Sequence, residues 1–177
     1  VVPSSPLRSC IHAGDKPGWI SNSQYLAYLD THKRFTTEME KLLDHYSQSG
    51  QPIVFISDGA PWIKNWIADA YPQVISVLDF YHASEHLHDY AKAEIKDEIR
   101  RKEWVDEHVE LLLNGEVQKI IDELSSLSVI SEQARQLMDY YESNKTRMDY
   151  PLYKKLGAGI IGSGAIESAH RTVVQKR

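Results

Sequence analysis

The sequence is short of everything that would tie down a small secreted domain. Cysteine occurs once, at Cys10, which excludes an internal disulfide framework and a cysteine-rich zinc module. Long hydrophobic runs are missing as well. No stretch approaches the ~20 apolar residues of a membrane-spanning helix, and the first residues lack the basic, apolar and small-residue succession of a secretory signal. A cytoplasmic location and no membrane partner are expected, which leaves the glycosylation spelling Asn144-Lys145-Thr146 without consequence. Positive charge is also scarce: 20 Lys and Arg stand against 25 Asp and Glu, a formal net charge of −5. Neutralising phosphates needs a basic surface, so the balance over the whole chain argues mildly against nucleic-acid binding. The 177 residues suffice for one domain with a sizeable core, or for a domain carrying an insertion.

What is there is organised around Ile53 to His86, IVFISDGAPWIKNWIADAYPQVISVLDFYHASEH. Ile53-Val54-Phe55-Ile56 is an apolar, β-branched run without alternation, as in a strand buried on both faces. Asp58-Gly59 ends it. Pro61 suits the first turn of a helix, Ile63, Trp66, Ile67 and Ala70 fall on one helical face, and Pro72 stops that helix. Val74 to Leu78 is a second strand, closed by Asp79. Two strands joined by such a helix are expected to run parallel with a right-handed crossover, so that Asp58 and Asp79 emerge at the same carboxyl edge. Open α/β sheets place their sites at that edge.

Upstream, Arg8 to Ala13 is the plausible strand among prolines and glycines. Ser21 or Asn22 then looks like a helix cap, with Tyr25, Leu26, Leu29, Phe35, Met39, Leu42, Leu43 and Tyr46 on a helical face up to Gly50, as one helix or two. Past His82 the strand signal disappears. Four apolar stripes follow at helical spacing: Leu87, Ala91, Ile95 and Ile99; Val105, His108, Leu111 and Leu112; Val117, Ile120, Ile121 and Leu124; Ile130, Ala134, Leu137, Met138 and Tyr141. Glycines at 157, 159, 162 and 164 break the pattern before a last helix with Glu167 in its first turn.

Several constellations carry possible chemistry. Asp58, Asp79 and Glu167 supply hard oxygen ligands for Mg²⁺ or Mn²⁺, the set that phosphoryl transfer uses to hold two ions. The plainer alternatives are a turn at Asp58-Gly59 and a helix-dipole carboxylate at Glu167. His82-Ala83-Ser84-Glu85-His86 spells H-x-x-E-H, which in a zinc peptidase places two imidazoles on the metal with the glutamate as base. That reading needs a third acidic ligand, for which Glu110, Glu116 or Glu123 can be invoked, and surface histidines are the simpler account. Gly157-x-Gly159-x-x-Gly162 matches a dinucleotide fingerprint by letter but lacks the following strand. Its glycines rather allow a close backbone approach or a turn. Arg171, Lys176 and Arg177 make the last turns basic, either as phosphate contacts beside Glu167 or as charges favoured at a helix C-terminus. Trp62, Trp66 and Trp104 are core aromatics by spacing.

Taken together, Ser57-Asp58-Gly59, Pro72, Leu78-Asp79-Phe80-Tyr81-His82-Ala83-Ser84-Glu85-His86-Leu87 and Ile161-Gly162-Ser163-Gly164-Ala165-Ile166-Glu167-Ser168 resemble bacterial insertion-sequence transposases of the ISKra type. Asn144, Arg147, Met148 and Tyr150 also fit that resemblance. It implies an α/β protein: a partial RNase H-like core, a sheet with helices, interrupted by an all-α insertion. Residues 1–82 would belong to the core, 83–156 to the insertion, and 157–177 to the glycine turn and the returning catalytic helix. Asp58 would match the second catalytic aspartate and Glu167 the catalytic glutamate, both metal ligands. Asp79 and His82 would match a D-x-x-H pair beside the site.

The resemblance further implies two Mg²⁺ or Mn²⁺ ions, DNA as partner (transposon ends and target), a homo-oligomer, and strand cleavage followed by strand transfer. A first aspartate is expected upstream of Val1, because Asp15 sits in a glycine- and proline-rich loop. With two carboxylates for a hard ion, the chain by itself is expected to bind metal weakly and not to catalyse. The alternatives are the zinc metallopeptidase centred on His82, Glu85 and His86, and a non-catalytic DNA- or protein-interaction module.

Overall fold

The structure, a computed structural model, describes residues 7–13, 22–28, 32–48, 50, 52–156 and 161–162. These residues are mostly helical, with a small two-stranded parallel sheet that makes the protein mixed α/β. The chain divides into two compact units, one of Val1–Val54 with Ser163–Arg177, the other of Phe55–Gly162.

In the first unit, β1 (Leu7–Ala13) and β2 (Asn22–Tyr28) pair antiparallel, in register from Leu7 opposite Tyr28 to Ala13 opposite Asn22. The expected strand at Arg8 to Ala13 is present, whereas the helix expected from Asn22 is replaced over 22–28 by β2. Seven residues are too few for periodicity to separate the two states. Pairing with β1, which local sequence does not encode, satisfies the backbone instead. Helix α1 (His32–Ser47) then follows as a single helix, with Phe35, Met39 and Leu43 buried at i, i+4 and i+8. Gly50, at φ 71°, turns the chain afterwards in a backbone region that favours glycine.

In the second unit, β3 (Val54–Ser57), α2 (Pro61–Ala70) and β4 (Ile75–Leu78) realise the expected strand–helix–strand. The strands pair with each other and run parallel. Pro61 occupies the first turn of α2, and the helix ends at Ala70, ahead of Pro72. Burial departs from expectation on β3, where Val54 is exposed and the rest is half-buried. Val77 and Leu78 of β4 are instead fully buried in the helical core. The insertion thus covers β4 more completely than β3.

The helical block starts without a loop. Asp79 closes β4 and at once caps α3 (Phe80–Glu94), accepting from the Tyr81 and His82 amides. Ile95 and Ile99 do not continue the α3 stripe. Asp97 caps a new helix, α4 (Glu98–Leu113), by accepting from the Arg100 amide at 2.9 Å, and Ile99 is exposed. A strong cap overrides an apolar pattern that local spacing would have extended. Helix α4 ends in a Schellman turn: the Glu116 amide donates to Leu111 O and the Gly115 amide to Leu112 O, with Gly115 at φ 74°.

Helix α5 (Val117–Leu127) buries Val117, Ile120, Ile121 and Leu124, all four residues of its stripe. Helix α6 (Glu132–Asn144) is capped by Ser131 and buries Ala134, Leu137 and Tyr141, while Ile130 stays exposed ahead of it. A 3-10 turn (Lys145–Arg147) and α7 (Tyr150–Leu156) complete the block. Its core also takes in Phe80, Leu87, Tyr90, Leu112, Met148 and Tyr150. The Tyr141 hydroxyl donates to Ala83 O at 2.8 Å, tying α6 to α3.

Candidate functional site at the strand ends

The carboxyl ends of β3 and β4 lie level with each other, because the Asp79 amide donates to Ser57 O at 2.8 Å. Each strand ends on an aspartate, and the two are held differently. Asp58 is exposed. Its Oδ1 accepts from the Ala60 amide at 2.9 Å, a local turn that orients the carboxylate ahead of α2. Asp79 is buried, and its Oδ1 takes the Tyr81 amide at 2.8 Å and the His82 amide at 3.4 Å. The first is placed to meet a ligand, and the second is committed to starting α3.

Beneath this edge lies Arg147, 4% exposed although it carries a full charge. Its Nη2 donates to Ser57 Oγ at 2.6 Å and to Val77 O at 3.2 Å. Its Nη1 donates to Asn144 Oδ1 at 3.1 Å and, with Nη2, makes long contacts to Asp58 O at 3.4 and 3.5 Å. One guanidinium from the end of the insertion therefore grips both strand ends. Burial lowers its pKa, with the nearby Tyr140 and the Asp58 charge acting in the opposite direction. An arginine remains protonated under such a shift, so a buried positive charge faces the aspartates.

Two glycines allow the close packing of this edge. A Cβ on Gly59 would come within 2.6 Å of the Tyr140 hydroxyl and 2.7 Å of Cζ. The Tyr140 ring lies in turn against His86, with centroids 4.1 Å apart. Burial first, and then the Asp58 carboxylate, push the Tyr140 hydroxyl well above the usual tyrosine range. At the other glycine, the returning chain meets the start of α3: the Phe80 amide donates to Ile161 O at 2.9 Å. A Cβ on Gly162 would sit 2.9 Å from Tyr81 Cε2 and 3.0 Å from Asp79 Oδ1. The close backbone approach expected of these glycines holds at Gly162. The chain that goes on to Glu167 thus passes Asp79.

His82, in the first turn of α3, lies 3.4 Å from Glu85 through Nδ1 and has its ring 5.0 Å from that of His86. Burial and then His82 lower the His86 pKa. The acidic residues that a zinc site would require are placed elsewhere. Glu123 accepts from Trp104 Nε1 and lies 3.0 Å from His108 Nε2, Glu116 pairs with Lys119, and Glu110 is exposed. Among the described residues, no group of three or more His, Cys, Asp or Glu side chains is gathered for a metal ion. Glu167, Arg171, Lys176 and Arg177 lie outside the described residues.

Residue-by-residue reading gave no role to Arg147 or Tyr140. The signal for Arg147 was its membership in the Asn144, Arg147, Met148 and Tyr150 set. Of these, Asn144, Arg147, Met148 and Tyr150 are all buried. Tyr140 carried no signal, since its spacing matches any partly buried helical aromatic. Trp104 is the packed aromatic its spacing suggests, stacked on His108 with centroids 3.7 Å apart. No protein-family model matches the chain, and no curated protein or solved structure matches it either.

Proposed function

We propose that this chain is part of an RNase H-like, DDE-type DNA transposase of the insertion-sequence class, interrupted after its last core strand by the helical block. The observation that carries the reading is the pair of parallel strands ending level on Asp58 and Asp79, with the segment that precedes Glu167 returning against Asp79 at Gly162. The element order of hairpin, helix, strand, helix and strand also fits such a core read from its second strand onward. Net acidity is no objection, since a carboxylate site contributes negative charge and the basic residues cluster at Arg171, Lys176 and Arg177.

Within this reading, Asp58 and Glu167, with a further aspartate from a preceding strand, would hold Mg²⁺ or Mn²⁺. Asp58 fits that use, because its carboxylate is exposed and one oxygen is already oriented by the Ala60 amide. Two such ions, when bound, activate an attacking oxygen and stabilise the leaving one in phosphodiester cleavage. The chain's own residues do the rest. Asp79 anchors α3 beside the site and keeps His82 on its first turn, a positioning role rather than direct ligation. Arg171, Lys176 and Arg177 would contact DNA phosphates. The enzyme would act as a homo-oligomer on transposon ends and target DNA, in the cytoplasm of a bacterial cell.

Two experiments test this. In a longer protein containing this chain, Asp58→Ala or Glu167→Ala abolishes DNA strand cleavage while circular dichroism stays unchanged; normal cleavage by either variant refutes the assignment. In this chain alone, excess Mn²⁺ broadens the amide resonances of Asp58, Gly59 and Ala60, and Asp58→Asn removes the effect. Sharp resonances throughout the titration would exclude Asp58 as a ligand.

A further inference from the structure

The Arg147 guanidinium is expensive to bury and bonds to no carboxylate. Its acceptors are the Ser57 hydroxyl, the Val77 and Asp58 carbonyls and the Asn144 amide oxygen. Three of these four belong to the ends of β3 and β4, and the fourth to the last residue of α6. A residue needed for packing alone would serve better as an aliphatic of similar volume. A planar fork is suited to something else: fixing two strand ends in one relative position from a rigid helical support. We propose that Arg147 is a positioning residue for Asp58, through which the helical insertion sets the geometry of the strand edge.

The physical path is short. Arg147 Nη2 holds the Ser57 side chain at 2.6 Å and both terminal nitrogens approach Asp58 O, so the backbone on either side of the Ser57–Asp58 peptide is fixed. The same nitrogen holds Val77 O on the neighbouring strand. The Asp58 carboxylate is left to the solvent side, oriented by Ala60. Arg147 itself is supported by Asn144 and by the tyrosines of α6 and α7, whose proximity is felt in its titration. Loss of the fork should therefore loosen the strand ends before it loosens the helices. The role of Asp58 as a ligand rests on the function proposed above, but the coupling itself does not require it.

The test uses Arg147→Lys, which keeps charge but loses the fork, together with Arg147→Met and the milder Ser57→Ala. Two amides report locally: Asp79, bonded to Ser57 O, and Ala60, bonded to Asp58 Oδ1. Arg147→Lys is expected to speed exchange at Asp79 by about tenfold or more and to shift the Ala60 resonance, with Ile120 and Ile121 of α5 unchanged. Ser57→Ala should shift the same two amides less, and it decides the matter if neither Arg147 variant folds. Equal loss of protection in α5 and at Asp79 would reduce Arg147 to a general stabilising residue. Unchanged reporters in all folded variants would overturn the proposal outright. Mn²⁺ broadening is then recorded on the wild-type chain. If the reporters move but the wild type shows no broadening at Asp58, the transposase reading fails and the coupling stands.

Discussion

The strand edge and the helical block belong to one compact unit and are stabilised in opposite ways. In the block, each helix explains itself: Asp97 and Ser131 cap α4 and α6, Gly115 turns the chain between α4 and α5, and Leu112, Ile120 and Leu124 are fully buried. At the edge, two aspartates, a buried arginine and two glycines pressed against tyrosines occupy the same small region. A chain selected for stability alone would replace most of these by apolar residues. Where local rules are kept, the structure is scaffold; where they are set aside around exposed chemistry, a site is the economical explanation.

The largest expected effect falls on the scaffold. Leu124→Ala, at a position with no exposure, should cost about 2–5 kcal/mol and lower protection throughout the unit; denaturant unfolding gives the value. If the edge amides Ala60 and Asp79 held their protection while the block melted, the two regions would be independent and the comparison would break.

Next comes Gly59→Ala. Its new Cβ overlaps the Tyr140 ring, and the strain should cost about 1–3 kcal/mol. The ring must move off the strand end, so the Tyr140 and His86 resonances should shift while those of α5 do not. A neutral effect on stability with unchanged Tyr140 shifts would show that the tight contact has no consequence.

A smaller effect is expected at a cap. Ser131→Ala removes the 3.0 Å bond to the Ala134 amide and should cost about 1 kcal/mol, with its shifts confined to the start of α6. Changes that reached Ala60 would mean the block transmits strain to the edge by more routes than Arg147.

The smallest effect concerns pH. Burial and then His82 lower the His86 pKa, so between that lowered value and the ordinary value the unfolded chain binds more protons than the folded one. Stability from this group is complete above the unfolded pKa, near 6.5, and is lost as pH falls through the folded pKa. Melting temperatures at successive pH values should therefore fall less steeply below neutrality for His86→Gln than for the wild type. Parallel curves would place no stability-linked titration at His86.

Much of this was legible beforehand. The β3–α2–β4 unit follows from two apolar runs, Pro61 and Pro72, and the parallel direction from the length of the crossover. The α5 stripe is buried to the residue. The failures have a common cause. Tyr25 and Leu26 suit a helical turn as well as a strand, and pairing with β1 decided the matter. Ile95 and Ile99 continue a stripe on paper, but the Asp97 cap starts a new helix between them. The candidate site divides along the same line: Asp58 and Asp79 stand out at strand ends, whereas the grip of Arg147 on them has no local mark.

The sequence by itself determined which segments are helices and strands in the second unit, where the chain turns, and which two aspartates close the paired strands. These depend on neighbours a few residues away, through side-chain period, caps, and the restrictions of proline and glycine. Tertiary structure alone decided that 22–28 is a strand, that Tyr140 presses on Gly59, that Gly162 returns to Asp79, and that one arginine grips both strand ends. Each of these joins residues far apart in the chain, and such contacts exist only once the intervening helices have packed.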